Sequence, residues 1–305
     1  MIPGIFHAPP YEHKEMLSII GMVVVAACVL GGYVMHHGNL SVLVQVHEYV
    51  IILGAAGGAL VVSTPIRTIK AMVGQLKGLL GHRPGKKDFL DLLTMLFEMF
   101  QIAHKSGLLG WEEHINDPEK SKLFNKYPSF LKNHHAVTFM TDTMKVVVSG
   151  SAEPHDLEAL MDAELETAHA EEAKPADALN AVADAMPGLG IVAAVLGIIV
   201  TMGAIDGPPA VIGMNVASAL VGTFLGILAS YGFLGPLASA MKHLVADEHK
   251  YIEAIKHALI AHAKGVNPAI AVEFARRSIV ASERPSFEEL EQACRAAKSG
   301  GGGGG

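Results

Sequence analysis

Charge is missing from four long stretches of this 305-residue chain, and that absence excludes most of what a soluble protein could be. The stretches run from Met16 to Met35, Tyr49 to Ile66, Met186 to Ile205 and Gly207 to Met241. Each reaches or approaches the roughly 20 apolar residues that cross a hydrocarbon core about 30 Å thick as a helix. Basic residues are absent from two further places, the segment His36 to Glu48 and the short turn around Asp206. Of the 23 Lys and Arg, Lys14 precedes the first stretch, thirteen lie between Arg67 and Lys174, and nine follow from Lys242. The positive-inside rule then predicts that both termini and the central segment lie on the cytoplasmic side.

Other absences narrow the chemistry. Only two cysteines occur, Cys28 inside the first apolar stretch and Cys294 in the tail. They fall in different parts of the fold, which excludes a disulfide and a thiolate metal site. No glycine-rich phosphate loop, dinucleotide fingerprint or nucleophile elbow is present, so the chain reads as neither an enzyme nor a cofactor carrier. The net charge of −7 is spread through mixed acids and bases, without the basic face that nucleic acid requires. Sixteen histidines raise the question of a metal. His36-His37 and His134-His135 are adjacent pairs, and His257 and His262 stand five apart, none of which suits one helical face. Strand-like alternation is missing throughout.

What remains is helical. The chain reads as an all-α membrane protein with four transmembrane helices in two pairs, and a helical cytoplasmic domain formed by the central segment and the C-terminal tail. Its predicted parts are an N-terminal extension (1–15), the first pair of spans (16–66), a cytoplasmic helical domain (67–185), the second pair (186–241), C-terminal cytoplasmic helices (242–299) and a glycine linker (300–305). The first span is longer than a secretory signal core and lacks a small-x-small cleavage pattern after it, so it is expected to be retained. Apolar spacing predicts a helix from Asp88 to His104, stopped by Gly107. Further helices are expected from Pro128 to Val148, Pro154 to His169, Val245 to Ala263 and Asn267 to Ala281, with another starting at the N-cap Ser286.

The fourth apolar stretch holds about 35 residues, roughly 52 Å of helix at 1.5 Å per residue, so its lower part must be covered by protein. Gly54 and Gly58, and Gly222, Gly226 and Ser230, recur at four-residue spacing, which permits close helix contact within the chain or between subunits. Pro187 is expected in the first turn of the third span, where its missing N–H costs nothing, and Pro236 is expected to kink the fourth. Glu48, beside His47 at the start of the second span, reads as a carboxylate favoured by a helix N-terminus, with an ion-entry role as the alternative. The third and fourth spans offer hydroxyls and one amide (Thr201, Asn215, Ser218, Thr223, Ser230, Tyr231) but no titratable carboxylate or imidazole. Intramembrane proton relays are built from such groups, so a proton path here needs a carboxylate from a partner.

A set of segments carries a specific resemblance: GGYVMHHG (31–38), EYVIILGAAGGA (48–59), ALMDAELET (159–167), DAMPGLGIVAAVLGIIV (184–200), ALVGTFLGILASYGFLGPLA (219–238), NPAIAVEFARRSI (267–279) and ERPSFEELE (283–291). In this order they resemble the MotA stator subunits of the flagellar motor, in the MotA/TolQ/ExbB proton channel family. The resemblance implies a homopentamer around two copies of MotB, whose single span supplies the missing aspartate, and torque on the rotor protein FliG. It places Pro187 and Pro236 beside that aspartate as coupling residues and Thr223 along the ion path. Ala194 stands where sodium-driven relatives have threonine, which implies protons. The family's rotor contact, an arginine three residues before a turn glycine and a glutamate five after it, maps to His104 and Glu112. The arginine is not matched, and Lys105 next to His104 is the other candidate for the positive charge. The alternatives are an ExbB- or TolQ-like motor subunit, whose relatives have three spans, and a membrane scaffold that conducts nothing.

Overall fold

In the computed structural model the described residues are 14–81 and 83–300. Twelve α-helices form along them: α1 Lys14–Met35, α2 Val46–Ser63, α3 Ile66–Gly78, α4 Lys86–Ser106, α5 Glu112–Ile115, α6 Pro128–Lys132, α7 His134–Ser149, α8 Pro154–Met202, α9 Pro209–Ile227, α10 Gly235–Ala263, α11 Pro268–Ser278 and α12 Phe287–Gly300. A π-helical segment, Leu228–Leu234, joins α9 to α10. No strand occurs among the described residues. Four of these helical segments are long and apolar enough to cross a membrane. The chain divides into two compact units, one of residues 1–82 and 172–244, the other of residues 83–171 and 245–305.

The first unit contains all four apolar segments. Its core is thin: Ile52 and Ala56 of α2 meet Met186 and Ala193 of α8, and a second cluster joins Met72, Leu79, Ala176, Leu179, Ala238, Met241 and Leu244. That second cluster is the protein cover expected over the lower part of the fourth stretch. It is supplied partly by α3, an amphipathic helix that contributes Met72, Ile69 and Leu76. Gln75 of α3 donates to the Glu172 carbonyl at 2.8 Å and fixes it there.

The second unit is built around α4. Phe89, Leu92, Leu93, Leu96 and Phe100 are all buried, as their spacing predicts, and α11 and α12 pack against the helix. Gly107, at φ 75°, ends α4 in the left-handed region that favours glycine. Asn267 caps α11 through a bond from the Ala269 N–H, and Ser286 and Glu289 cap α12 reciprocally.

Three expectations change. The helices read at Pro154 and at the third span are one 49-residue helix, α8, because the intervening AEEAKPADALNAVADA run is rich in alanine and other strong helix formers. Pro187 therefore lies inside a helix and not in a first turn, and it removes a hydrogen bond that the preceding turn would otherwise receive. The helix expected from Pro128 to Val148 is broken at Asn133, whose side chain accepts from the Ala136 N–H and starts α7 anew.

Candidate ion path and exposed charged turn

The third and fourth spans cross where their side chains vanish. A methyl group at Gly190 of α8 would lie 2.7 Å from the Gly222 carbonyl oxygen and 3.1 Å from the Gly226 Cα. One at Gly226 would lie 2.5 Å from the Met186 carbonyl oxygen. Backbone atoms cannot step aside as a flexible side chain can, so both positions admit only glycine. Of the repeating glycines, Gly222 and Gly226 are thus spent on contact within this chain. Gly54 and Gly58 have nothing within 4 Å and remain open.

This crossing brings three of the four candidate path residues into one neighbourhood. Pro187 stands one turn before Gly190 and Ala194 one turn after it. Thr223 presents its Cα 3.3 Å from where a Gly190 methyl would sit. Ala194 is 9 % exposed, while Pro187 and Thr223 are half-buried. Thr201, one further turn along α8 from Gly197, is buried and donates its hydroxyl to the Gly197 carbonyl at 2.8 Å. Pro236 stands apart in α10 and is exposed. Its effect is not a simple kink. The turns just before it are π-helical, with the Gly235 N–H reaching the Ser230 carbonyl. A proline has no N–H to donate and its ring presses on the carbonyl four residues back, here that of Gly232. Widening the preceding turns into a π-helical segment accommodates both.

Glu48 departs furthest from expectation. It is buried completely, and neither carboxylate oxygen has a hydrogen-bond partner. A group held only by a helix N-terminus would sit in water or accept from a backbone N–H, and Glu48 does neither. Sequence reasoning puts the helix-dipole role ahead of the ion-entry role because a carboxylate two residues into a helix usually has an ordinary capping role.

In the second unit, His104 and Lys105 occupy the exposed end of α4 and Glu112 the exposed start of α5. The turn between them is pinned from below. Trp111 is fully buried and donates its indole N–H to the Met99 carbonyl at 2.7 Å, and Gly110 lies against Ile102 and Ser106. Trp111 and Phe100 both pack on the His262 ring, Phe100 in a flat stack with centroids 4.4 Å apart. Burial holds the His262 imidazole below the ordinary histidine range, and the nearby His104 adds to that effect. The turn thus packs on a ring whose burial disfavours charge, with His104, Lys105 and Glu112 on its exposed side. Lys105 also lines a cleft of about 280 Å³ with Lys122, Lys126 and Lys298, in which Glu98 pairs with Lys126 at 3.1 Å. The lysine cluster draws on three separate segments, so no linear pattern reveals it.

Comparison with known proteins settles the family. Residues 19–107 match the motility protein A N-terminal family and residues 132–254 the MotA/TolQ/ExbB proton channel family. Motility protein A of Escherichia coli K12 is 39 % identical over 285 residues, covering 93 % of this chain and 97 % of the relative. The chain belongs to the motility protein A family. A second relative, chemotaxis protein LafT of Vibrio parahaemolyticus, is 35 % identical and covers 91 % of this chain and 98 % of its own. Among solved structures, the C. jejuni MotAB structure shares the fold at a TM-score of 0.74 and 21 % identity, covering 89 % of this chain and 99 % of that one. The flagellar MotAB stator complex from Bacillus subtilis does so at 0.68 and 23 %, covering 91 % and 99 %. This is a channel family and not an enzyme family, and the chain is a membrane protein of the flagellar stator type.

Proposed function

We propose that this chain conducts protons through the bacterial inner membrane as the stator subunit of a flagellar motor, in complex with a MotB partner. The observation that carries the reading is the crossing of α8 and α9, a close-packed helix pair lined by Ala194 and Thr223 whose charge-free faces contain no proton acceptor of their own. The partner's span supplies an aspartate there. Five copies of this chain surround two MotB spans, with both termini and the second unit in the cytoplasm. The apolar residues that the single chain leaves open, such as Val62 at 89 % and Val200 at 73 %, then face lipid or neighbouring subunits.

One proton crossing 100 mV releases about 2.3 kcal/mol. An element that this can switch must have two arrangements of nearly equal energy. The π segment before Pro236 is such an element, since one redistributed hydrogen bond separates it from regular helix, and Pro187 weakens the facing stretch of α8 in the same way. The turn carrying His104, Lys105 and Glu112 delivers the motion to FliG of the rotor, with Lys105 taking the positive role. Ala194 offers no oxygen to a sodium ion, which as a hard cation needs several, so the proton is the coupling ion. The test is swimming in a stator-deficient host given this chain and its partner. Motility should persist in sodium-free medium and stop when an uncoupler collapses the proton gradient, whereas strict sodium dependence defeats the reading.

A further inference from the structure

The carboxyl group of Glu48 sits in a niche made for it. A methyl at Gly222 of α9 would collide with Oε2 and lie 3.2 Å from Cδ, and one at Gly197 of α8 would lie 3.6 Å from Oε1. The side chain of Glu48 is 0 % exposed in the isolated chain, so its burial is the work of α2, α8 and α9 and needs neither lipid nor partner. Both oxygens lack a hydrogen-bond donor.

The surroundings supply almost no charge. From Pro187 to Met202 on α8, and throughout α9, there is no Asp, Glu, Lys, Arg or His. Residues 38–45, leading into α2, hold none either. On α2 itself, His47 places Nε2 3.6 Å from Oε1, but that imidazole is 61 % exposed and makes no hydrogen bond to the carboxylate. The Tyr49 hydroxyl is directed to the Leu43 carbonyl at 3.4 Å. A carboxylate ion without donors is disfavoured in an apolar interior, and an arriving proton removes that penalty. Glutamine would fill the same space, and an apolar side chain would avoid the cost altogether, so packing alone does not explain a glutamate here. Ionisable side chains inside a membrane unit mark ion pathways and proton relays.

The position of the niche fits that use. Gly222 directly precedes Thr223, and Ala193, whose Cβ lies 3.1 Å from where a Gly222 methyl would sit, directly precedes Ala194. We infer that Glu48 is a proton-binding station of the ion path carried by this chain itself, upstream of the partner's aspartate. An O–H bond forms at Oε1 or Oε2 as an O–H bond of a hydronium ion on the outer side breaks and leaves water, and it breaks in turn as an O–H bond forms on the next acceptor, a water or the partner's aspartate. The inference rests on the proton-conducting reading above.

Glu48→Gln, which keeps shape but cannot take up and release a proton, is the decisive variant, with Glu48→Asp beside it. Both are expressed with the partner in stator-deficient cells, assembly is followed by co-purification, and swimming speed is measured against external pH. Glu48→Gln should assemble and lose motility, and Glu48→Asp should swim with a displaced pH profile. In purified complexes whose partner aspartate is replaced by asparagine, infrared difference spectra between acid and alkaline pH should show a protonated-carboxyl band that Glu48→Gln removes. Swimming of Glu48→Gln at the parent's speed across the pH range, or a spectrum unchanged by it, overturns the inference. If Glu48→Gln fails to assemble, the aspartate variant decides: a displaced profile supports the station and an unchanged one overturns it. Failure of the underlying reading is separately visible, because the unmodified chain would then swim through an uncoupler.

Discussion

The two units solve opposite problems. The second is complete as a single chain: Trp111, Phe100, Phe124 and Phe130 are sealed around α4, and ion pairs such as Lys256–Asp162 at 2.7 Å and Lys86–Glu289 at 2.8 Å tie its surface. The first is unfinished. None of the residues Ser18–Met35 of α1 is buried, and valines, leucines and isoleucines of α2, α8 and α9 stand open. In water that surface would be untenable, and in a bilayer it is the rule, because lipid removes the hydrophobic drive between helices and leaves close packing of small residues to hold them. The comparison teaches where specificity resides. In the second unit it lies in large side chains and paired charges, and in the first it lies in glycines and in one buried carboxyl.

The largest effect should follow from filling the helix crossing. Gly226→Ala places a methyl against the Met186 backbone, and overpacking of this kind costs about 1–3 kcal/mol where the neighbours can adjust and more where they cannot. The complex should be recovered in low yield and the cells should not swim. Gly54→Ala and Gly58→Ala meet nothing within the chain, so they sharpen the contrast. Normal yield for both assigns that face of α2 to lipid, while loss of the assembled complex on native gels assigns it to a subunit contact. A Gly226→Ala complex that assembles and swims like the parent breaks the claim that backbone contact holds this unit together.

How much of this was legible in the sequence differs between the units in the same way. Runs of uncharged residues report the spans directly, and three- and four-residue spacing reports α4 and its buried face, since both are local patterns. Ser286 and Gly107 announced a cap and a stop because their chemistry acts on the adjacent turn. Tertiary facts were not legible. Nothing around Glu48 in the sequence says that Gly197 and Gly222, about 150 and 174 residues away, open a niche for it, and a reading by helix position alone assigned it to the dipole. The interior placement of Pro187 is hidden for a different reason: the apolar run starts at Met186, while the helix itself starts 32 residues earlier at Pro154 in polar sequence. The π segment has no sequence signal beyond Pro236 itself.

The prolines offer an intermediate effect, on motion and not on folding. Pro187→Ala and Pro236→Ala each restore a backbone donor inside a helix, where proline costs about 3 kcal/mol relative to alanine. Complexes of either variant with the partner should therefore assemble and melt at or above the parent's temperature, and rotation should fail because the two arrangements of the helix are no longer close in energy. Parent-level swimming would remove the prolines from coupling. Loss of assembly would make them structural, and would erase the distinction between a unit that moves and a unit that holds its shape.

The smallest effect on stability should come from the exposed turn of the second unit. His104, Lys105 and Glu112 lie on the surface, and exposed ion pairs contribute about 0–1 kcal/mol, so no reversal there should alter the yield or melting of the complex. Charge at a transient contact acts on encounter and orientation instead. Glu112→Lys and Lys105→Glu should each slow or stop swimming with the complex intact, and His104→Arg should be tolerated. The rigid support beneath the turn makes the comparison clean, since Trp111 and the His262 stack hold the backbone whichever charge is changed. The decisive measurement is torque against pH in Lys105→Glu and His104→Ala. If Lys105→Glu retains full torque at every pH while His104→Ala loses it, the positive half of the contact belongs to His104 and the role given to Lys105 falls.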